Sequence, residues 1–342
     1  MLKKVVVFTT AGLFGVVLFV FALNWFGTEE ILRSFDTFTW DAFVLFLLVS
    51  FSLFSGHVWR WQMILKCHGH SVPFWKLYRY RLEGYAASYL TPSAFIGGEP
   101  LRAFLLKTKE DIPYTKGVSS ILIDKNFELS VNGFFVLVGI FLLLLNFTLP
   151  KQFEVLILAG VFFSLAISVL IYWQLIKRKN MLHTLFLFLR LHKISFFLSF
   201  EKKFIETDQL LHAFFLEHKY VYKKIFLSMI LLWALVYAEY YLALQLIGIE
   251  PAFTLIFLVF AMVGISFIAP IPGALGVLEA TQAAIFSLYG AAPSAGIALS
   301  LVIRARDVLW VLLGLLGIGV HGMRQFYLFI IGKKSFEGEK RR

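Results

Sequence analysis

The stretch Ser266-Phe-Ile-Ala-Pro270-Ile-Pro-Gly-Ala-Leu-Gly-Val-Leu-Glu279 decides the reading of the chain. It joins two apolar arms, Thr254–Ala269 and Val277–Gly290, each short for a full membrane crossing, and it has no Lys or Arg to hold it at an aqueous surface. Prolines and glycines at 270, 272, 273 and 276 break any continuous helix there. Such backbone survives at membrane depth only when buried in protein or facing a polar cavity. The expectation is a broken helix or re-entrant hairpin over 253–290, with Pro270, Pro272, Gly273 and Gly276 at its turn. The alternative is that these residues merely kink two ordinary helices.

A second stretch, Ser88-Tyr-Leu-Thr-Pro92-Ser-Ala-Phe-Ile-Gly-Gly-Glu99, has the same order: Ser, aromatic, aliphatic, any residue, Pro, then glycine and Glu. It predicts a hairpin over 84–106 with Pro92, Gly97 and Gly98 at the turn. Each stretch leads into a long apolar helix carrying charges in its first third, at Asp124 and at Arg304. The separations from Pro92 and Pro270 are 32 and 34 residues, which reads as an internal repeat.

Around these hairpins the chain is too apolar for a soluble protein of 342 residues, at 59% hydrophobic, 15% charged and a mean hydropathy of +0.80. Val5–Phe26, Trp40–Trp59, Val118–Phe147, Val155–Ile176, Ile225–Gly248 and Ile297–His321 read as spans, each near the ~20 residues that cross a hydrocarbon core. The first lacks a cleavage site and reads as a retained helix. The fold class expected is all-α: a polytopic membrane protein of about six transmembrane helices plus two hairpins in an inverted repeat. Residues 1–147 form the first half. Residues 148–342 form the second, with a cytoplasmic amphipathic link at 177–224 and a basic tail at 322–342.

The net charge of +11 is sorted by side rather than spread for nucleic acid. With the N-terminus in the cytoplasm, most Lys and Arg fall inside, including the segments Arg60–Arg81, Arg102–Lys116 and Lys177–Lys224; only Arg33 and Lys151 fall outside. This places the protein in the cell (cytoplasmic) membrane with both termini cytoplasmic. Lys125, Arg304 and Arg306 remain within apolar stretches, where ionisable groups are costly and functional by default.

The candidate site follows. Asp124, Lys125 and Glu128 share a helical stripe, and Arg304 is spaced to pair with Asp307 while Arg306 points elsewhere. In one reading Arg304 holds a phosphate through paired donors, and Asp124 and Glu128 meet a cationic head group or a proton. In the other these charges lock the bundle by pairing with each other. Helix starts after Gly98 and Gly276 could receive an anion, or be capped by Glu99 and Glu279. Arg102 is spaced to pair with Glu99.

His57, Cys67, His68 and His70 cluster in sequence without zinc-site spacing, so no metal is expected, and no motif calls for a cofactor. No nucleophile elbow, HExxH or phosphate loop occurs, which disfavours an enzyme.

Taken together, Ser88–Glu99 with Arg102, the Asp124/Glu128 helix, and Pro270–Glu279 followed by Arg304 resemble the flippase-like integral membrane family, the transmembrane module of lysylphosphatidylglycerol synthase/flippase proteins. The resemblance implies movement of a phospholipid or other lipid-linked substrate between leaflets. No aminoacyl-transfer domain follows the sixth span, so lipid synthesis is not carried over. The partners implied are membrane lipids, anionic phospholipid foremost, with no nucleic acid and a homodimer compatible with the sequence. The alternatives are a membrane-embedded enzyme acting on a lipid phosphate or polyprenyl-linked sugar, and a structural membrane subunit.

Overall fold

The computed structural model describes residues 28–91, 97–147, 181–188, 190, 201–267 and 269–339, with isolated positions at 17, 20, 21, 151, 155, 158 and 162. Most of Val5–Phe26 and Val155–Ile176, and Pro92 with it, lie outside the described residues. Eleven α-helices are named here: α1 (Thr28–Arg33), α2 (Trp40–Cys67), α3 (Phe74–Leu90), α4 (Glu99–Glu110), α5 (Tyr114–Asn146), α6 (Met181–Phe188), α7 (Glu201–Glu217), α8 (Lys219–Leu246), α9 (Phe253–Ser266), α10 (Val277–Leu288) and α11 (Pro293–Glu339). No strand occurs among the described residues. Of the described helices, α2 and α8 are long and apolar enough to cross a membrane, and α9 is a shorter apolar helix.

Boundaries follow local chemistry. Pro73 and Pro113 stand just ahead of α3 and α5, where a missing N–H is harmless, and α2 carries Asp41 in its first turn and Lys66 in its last, matching the helix dipole. Between α9 and α10 the backbone turns through a 3-10 segment at Pro272–Ala274, with Gly273 and Gly276 at φ 57° and 78°. Those angles suit residues lacking a Cβ. A Cβ at Gly273 would also collide with the Tyr89 ring.

Four boundaries differ from the sequence expectation. The helix expected to end at Trp59 runs to Cys67, carrying Arg60 inward instead of leaving it at the surface. The first hairpin is longer than 84–106, because its first arm begins at Phe74 and its second continues to Glu110. Part of the 177–224 link, expected along a leaflet, packs into the bundle: α7 lies on α5 and buries Leu211 and Phe214. The tail from 322 continues α11 as far as Glu339.

The packing is reciprocal. Helix α3 lies on α11 and α9 on α5, while α4 lies on α5 and α10 on α11. Helices α2 and α8 pack directly on each other. They run antiparallel, since Gly56 meets Leu232 while the later Arg60 meets the earlier Met229. Lipid tails are as apolar as Leu, so such contacts depend on close approach rather than on escape from water. Gly139 against Ala261 and Gly314 against Leu82 and Ala86 supply that approach.

Candidate functional site

Three groups of charges meet inside this bundle. The largest centres on α5. Asp124, fully buried, receives Arg60 Nε at 2.7 Å on one oxygen, and Arg81 Nη1 at 2.8 Å and Arg102 Nη2 at 3.2 Å on the other. One turn later Glu128 meets Arg81 at 3.3 Å and Lys125 at 3.1 Å, and Lys125 also approaches Glu99 at 3.7 Å. Four cations therefore face three carboxylates. Arg102 stacks 3.9 Å over the Trp61 ring, whose Nε1 donates to Ser120 Oγ. The pairing expected between Arg102 and Glu99 is replaced by Arg102 with Asp124 and Glu99 with Lys125, because Arg102 points across to α5 rather than along its own helix.

The second group lies between α8, α3 and α11. Arg306 reaches Glu239 at 2.8 Å and Asp307 at 2.8 Å, and Tyr85 OH donates to the same Asp307 oxygen at 2.8 Å. Asp307 thus takes Arg306, where spacing favoured Arg304. In the third group Arg304 engages Glu279 through Nε and Nη2, and its Nη1 donates to Tyr89 OH at 3.1 Å and to the Gly273 carbonyl at 3.0 Å. Glu279 also accepts the Gly276 N–H at 2.8 Å, so the expected cap is present. At the first turn the Gly98 N–H goes instead to Ser88 Oγ at 2.8 Å, with Gly97 beside it.

The first two groups border a cavity of about 210 Å³. Arg81 and Tyr85 come from α3, Glu99 and Arg102 from the start of α4, Lys125 and Glu128 from α5. Opposite them stand His57 of α2, Glu239 of α8 and Arg306 of α11. A second cavity of about 180 Å³ shares His57, Glu128, Glu239 and Arg306, and is otherwise walled mainly by apolar residues such as Trp233 and Phe260. Arg304 and Glu279 line neither cavity.

Of the residues singled out in the sequence, the structure gathers Asp124, Lys125, Glu128, Glu99, Arg102, Arg306 and Asp307 in the first two groups, but it sets Arg304, expected to hold a phosphate beside Asp124 and Glu128, at the second turn with Glu279, because Glu279, Tyr89 and the Gly273 carbonyl take its guanidinium. Arg60, Arg81, Tyr85 and Glu239 were missed. Glu239 had a signal, as a lone acid in the apolar run Ile225–Gly248. Arg81, Tyr85 and Ser88 had another, at the spacing of one helical face.

No solved structure matches the chain. It is 33% identical to a UPF0104 membrane protein of Methanocaldococcus jannaschii over 143 residues, 41% of this chain and 40% of that relative. Over longer stretches it is 23% identical to a UPF0104 membrane protein of Methanothermobacter thermautotrophicus, covering 80% of this chain and 81% of the relative. With a UPF0104 membrane protein of Pyrococcus horikoshii it shares 24% identity over 85% of this chain and 90% of the relative. The model of the family described as Lysylphosphatidylglycerol synthase TM region matches residues 4–315, and the chain, a helical membrane protein, belongs to that family.

Proposed function

We propose that the protein moves a phosphate-bearing lipid between the leaflets of the cell membrane, with the head group passing through the 210 Å³ cavity while the acyl tails stay in lipid. One observation carries this reading: a cavity inside an apolar helical bundle is walled on one side by Arg81, Arg102 and Lys125 and on the other by Glu239. A head group leaving water must exchange its hydration for matched donors and acceptors. Fixed charges of both signs offer that exchange. The volume lies below the ~300 Å³ where drug-sized sites begin, so a head group fits and a whole lipid does not. In this reading the phosphate contact falls to Arg81, Arg102, Lys125 and Arg306, while Arg304 shapes the second turn.

The reciprocal packing supports an inverted repeat of residues 1–147 and 148–342 related by a pseudo-two-fold axis with both hairpins re-entrant, and the sorting of Lys and Arg by side supports cytoplasmic termini. Helices interrupted near mid-membrane at a repeat interface are a transporter plan. The preferred cargo is anionic phospholipid, and assembly as a homodimer is compatible with this plan. A structural membrane subunit would show the same ion pairs but would not need a cavity faced by them.

The test is leaflet-resolved flipping in proteoliposomes over several lipid classes, using a fluorescent lipid quenched from outside by dithionite. Protein-dependent loss of the protected fraction for a phosphate-bearing lipid is expected. Rates equal to those of protein-free vesicles for every class would overturn the reading.

A further inference from the structure

Arg306 answers two carboxylates. Its guanidinium lies 2.8 Å from Glu239 of α8, and its Nε and Nη2 lie 3.1 and 2.8 Å from Asp307 Oδ1. Within this group one positive charge stands against two negative ones, and the balancing surplus, four cations against three carboxylates, lies around Asp124 on the facing wall of the same cavity rather than on these two side chains. Two carboxylate oxygens of the group remain. Glu239 Oε1 and Asp307 Oδ2 are buried and have no hydrogen-bond partner among the described residues, and their residues are 2% and 1% exposed. Glu239 lines both cavities, whereas Asp307 lines neither.

Among the described residues no second cation pairs with Glu239 or Asp307. From α3, Arg81 is engaged by Asp124 and Glu128, and Tyr85 donates to the Asp307 oxygen already shared with Arg306. On α5, Lys125 is held by Glu128 and Glu99. His57 of α2 is the imidazole facing the same cavities, α9 presents the apolar Phe260, and α8 itself adds the phenol of Tyr240.

We infer that Glu239 and Asp307 form a binding site for one monovalent cation from solution, a proton or a sodium ion, that drives the lipid movement proposed above. The inference rests on that proposal and names its coupling ion. When the cation sits at Glu239 Oε1, as an O–H bond for a proton or an ionic contact for sodium, Glu239 loosens its hold on Arg306. Arg306 stays with Asp307 through Nε and Nη2, and its Nη1, held in the same plane, is released from Glu239 to donate to a phosphate in the cavity. The positive wall and this site then take one anion and one cation together, which keeps the buried charge balanced throughout the cycle.

Two measurements on the full chain test it. In the first, purified protein is mixed with short-chain phosphatidylglycerol while proton uptake is followed with an indicator dye and sodium uptake with radioactive sodium. About one cation per chain is expected for one of the two ions, lost in Glu239→Gln and in Asp307→Asn. In the second, proteoliposomes carry fluorescent phosphatidylglycerol under a tenfold gradient of either ion. One-to-one coupling allows the leaflet ratio to shift by up to about tenfold, the same free energy as the gradient. Cation uptake without flipping would overturn the transport reading and leave the site standing. Flipping whose leaflet ratio ignores both gradients, or uptake retained by both folded variants, would overturn the site and leave transport standing. Movement restricted to phosphatidylethanolamine under every gradient would make the cation the lipid's own amine, and also overturns the inference.

Discussion

The carboxylate of Glu279 caps the helix it begins and holds Arg304 of the next one: Oε2 accepts the Gly276 N–H at 2.8 Å and Arg304 Nη2 at 2.9 Å. Arg304 extends the link to the Gly273 carbonyl and to Tyr89 on the first hairpin. The second turn is thereby fixed to α11 and α3 at once.

Arg304→Ala should therefore destabilise the protein before it affects any ligand. Removing one partner of a buried pair leaves the other charged and unpaired, a loss of about 3–5 kcal/mol. Arg304→Lys should recover only part of it, because an ammonium cannot match the planar fork. The double variant Arg304→Met with Glu279→Gln should melt above Arg304→Ala, since no charge is then stranded. Thermal melting of detergent-solubilised protein measures this, and an Arg304→Ala protein that melts like the wild type would remove the lock.

How much of this was legible in the sequence depends on where each charge sat. Asp124, Lys125 and Glu128 stood out because a charged stripe in an apolar helix has few explanations. The Pro/Gly turns stood out because helix-breaking residues between short apolar arms are costly in lipid. Arg60 and Arg81 did not, because counting basic residues by side of membrane assigned them to a surface segment. The error came from ending α2 at Trp59. Hydropathy falls there, yet the helix runs to Cys67 because Arg60 is neutralised by Asp124, a partner 64 positions away. Long-range pairing of this kind leaves no local mark. The same holds for Arg304, whose choice of Glu279 over Asp307 depends on the path of the turn between α9 and α10.

Acid should weaken the junction beneath the bundle. His68, just past the end of α2, is 7% exposed and packs edge-on to Phe214. Burial first, then Lys116, His218 and His70, lower its pKa to about 4 from the ordinary value of 6.5. His70 shifts the same way, through burial and Lys116. Between pH 6.5 and about 4 the unfolded chain binds a proton at His68 that the folded one resists, so stability rises with pH across that window and is fully present above it. The melting temperature should fall as pH drops from 6.5 toward 4, and His68→Gln should flatten that slope. An unchanged slope in the variant would assign the acid sensitivity to other groups.

Two of the cations that flank Asp124 and Glu128 should separate structure from transport. Arg60 is fully buried, pairs with Asp124 and lines neither cavity, whereas Lys125 is partly exposed and lines the larger one. Arg60→Ala strands part of the charge on a buried carboxylate and should cost about 3–5 kcal/mol, seen as a lower melting temperature and poor recovery of folded protein. Lys125→Gln removes pairs at 3.1 and 3.7 Å whose side chains are partly exposed, and it leaves Glu128 still held by Arg81 and Arg60. It should melt close to the wild type. If the positive wall receives a phosphate, the same variant should flip fluorescent phosphatidylglycerol more slowly, by about tenfold for each 1.4 kcal/mol of lost attraction in the crossing state. Leaflet-resolved flipping on equal amounts of folded protein decides the matter. Wild-type flipping by Lys125→Gln would exclude Lys125 from the lipid path and leave it as a partner that holds Glu99 and Glu128 in place.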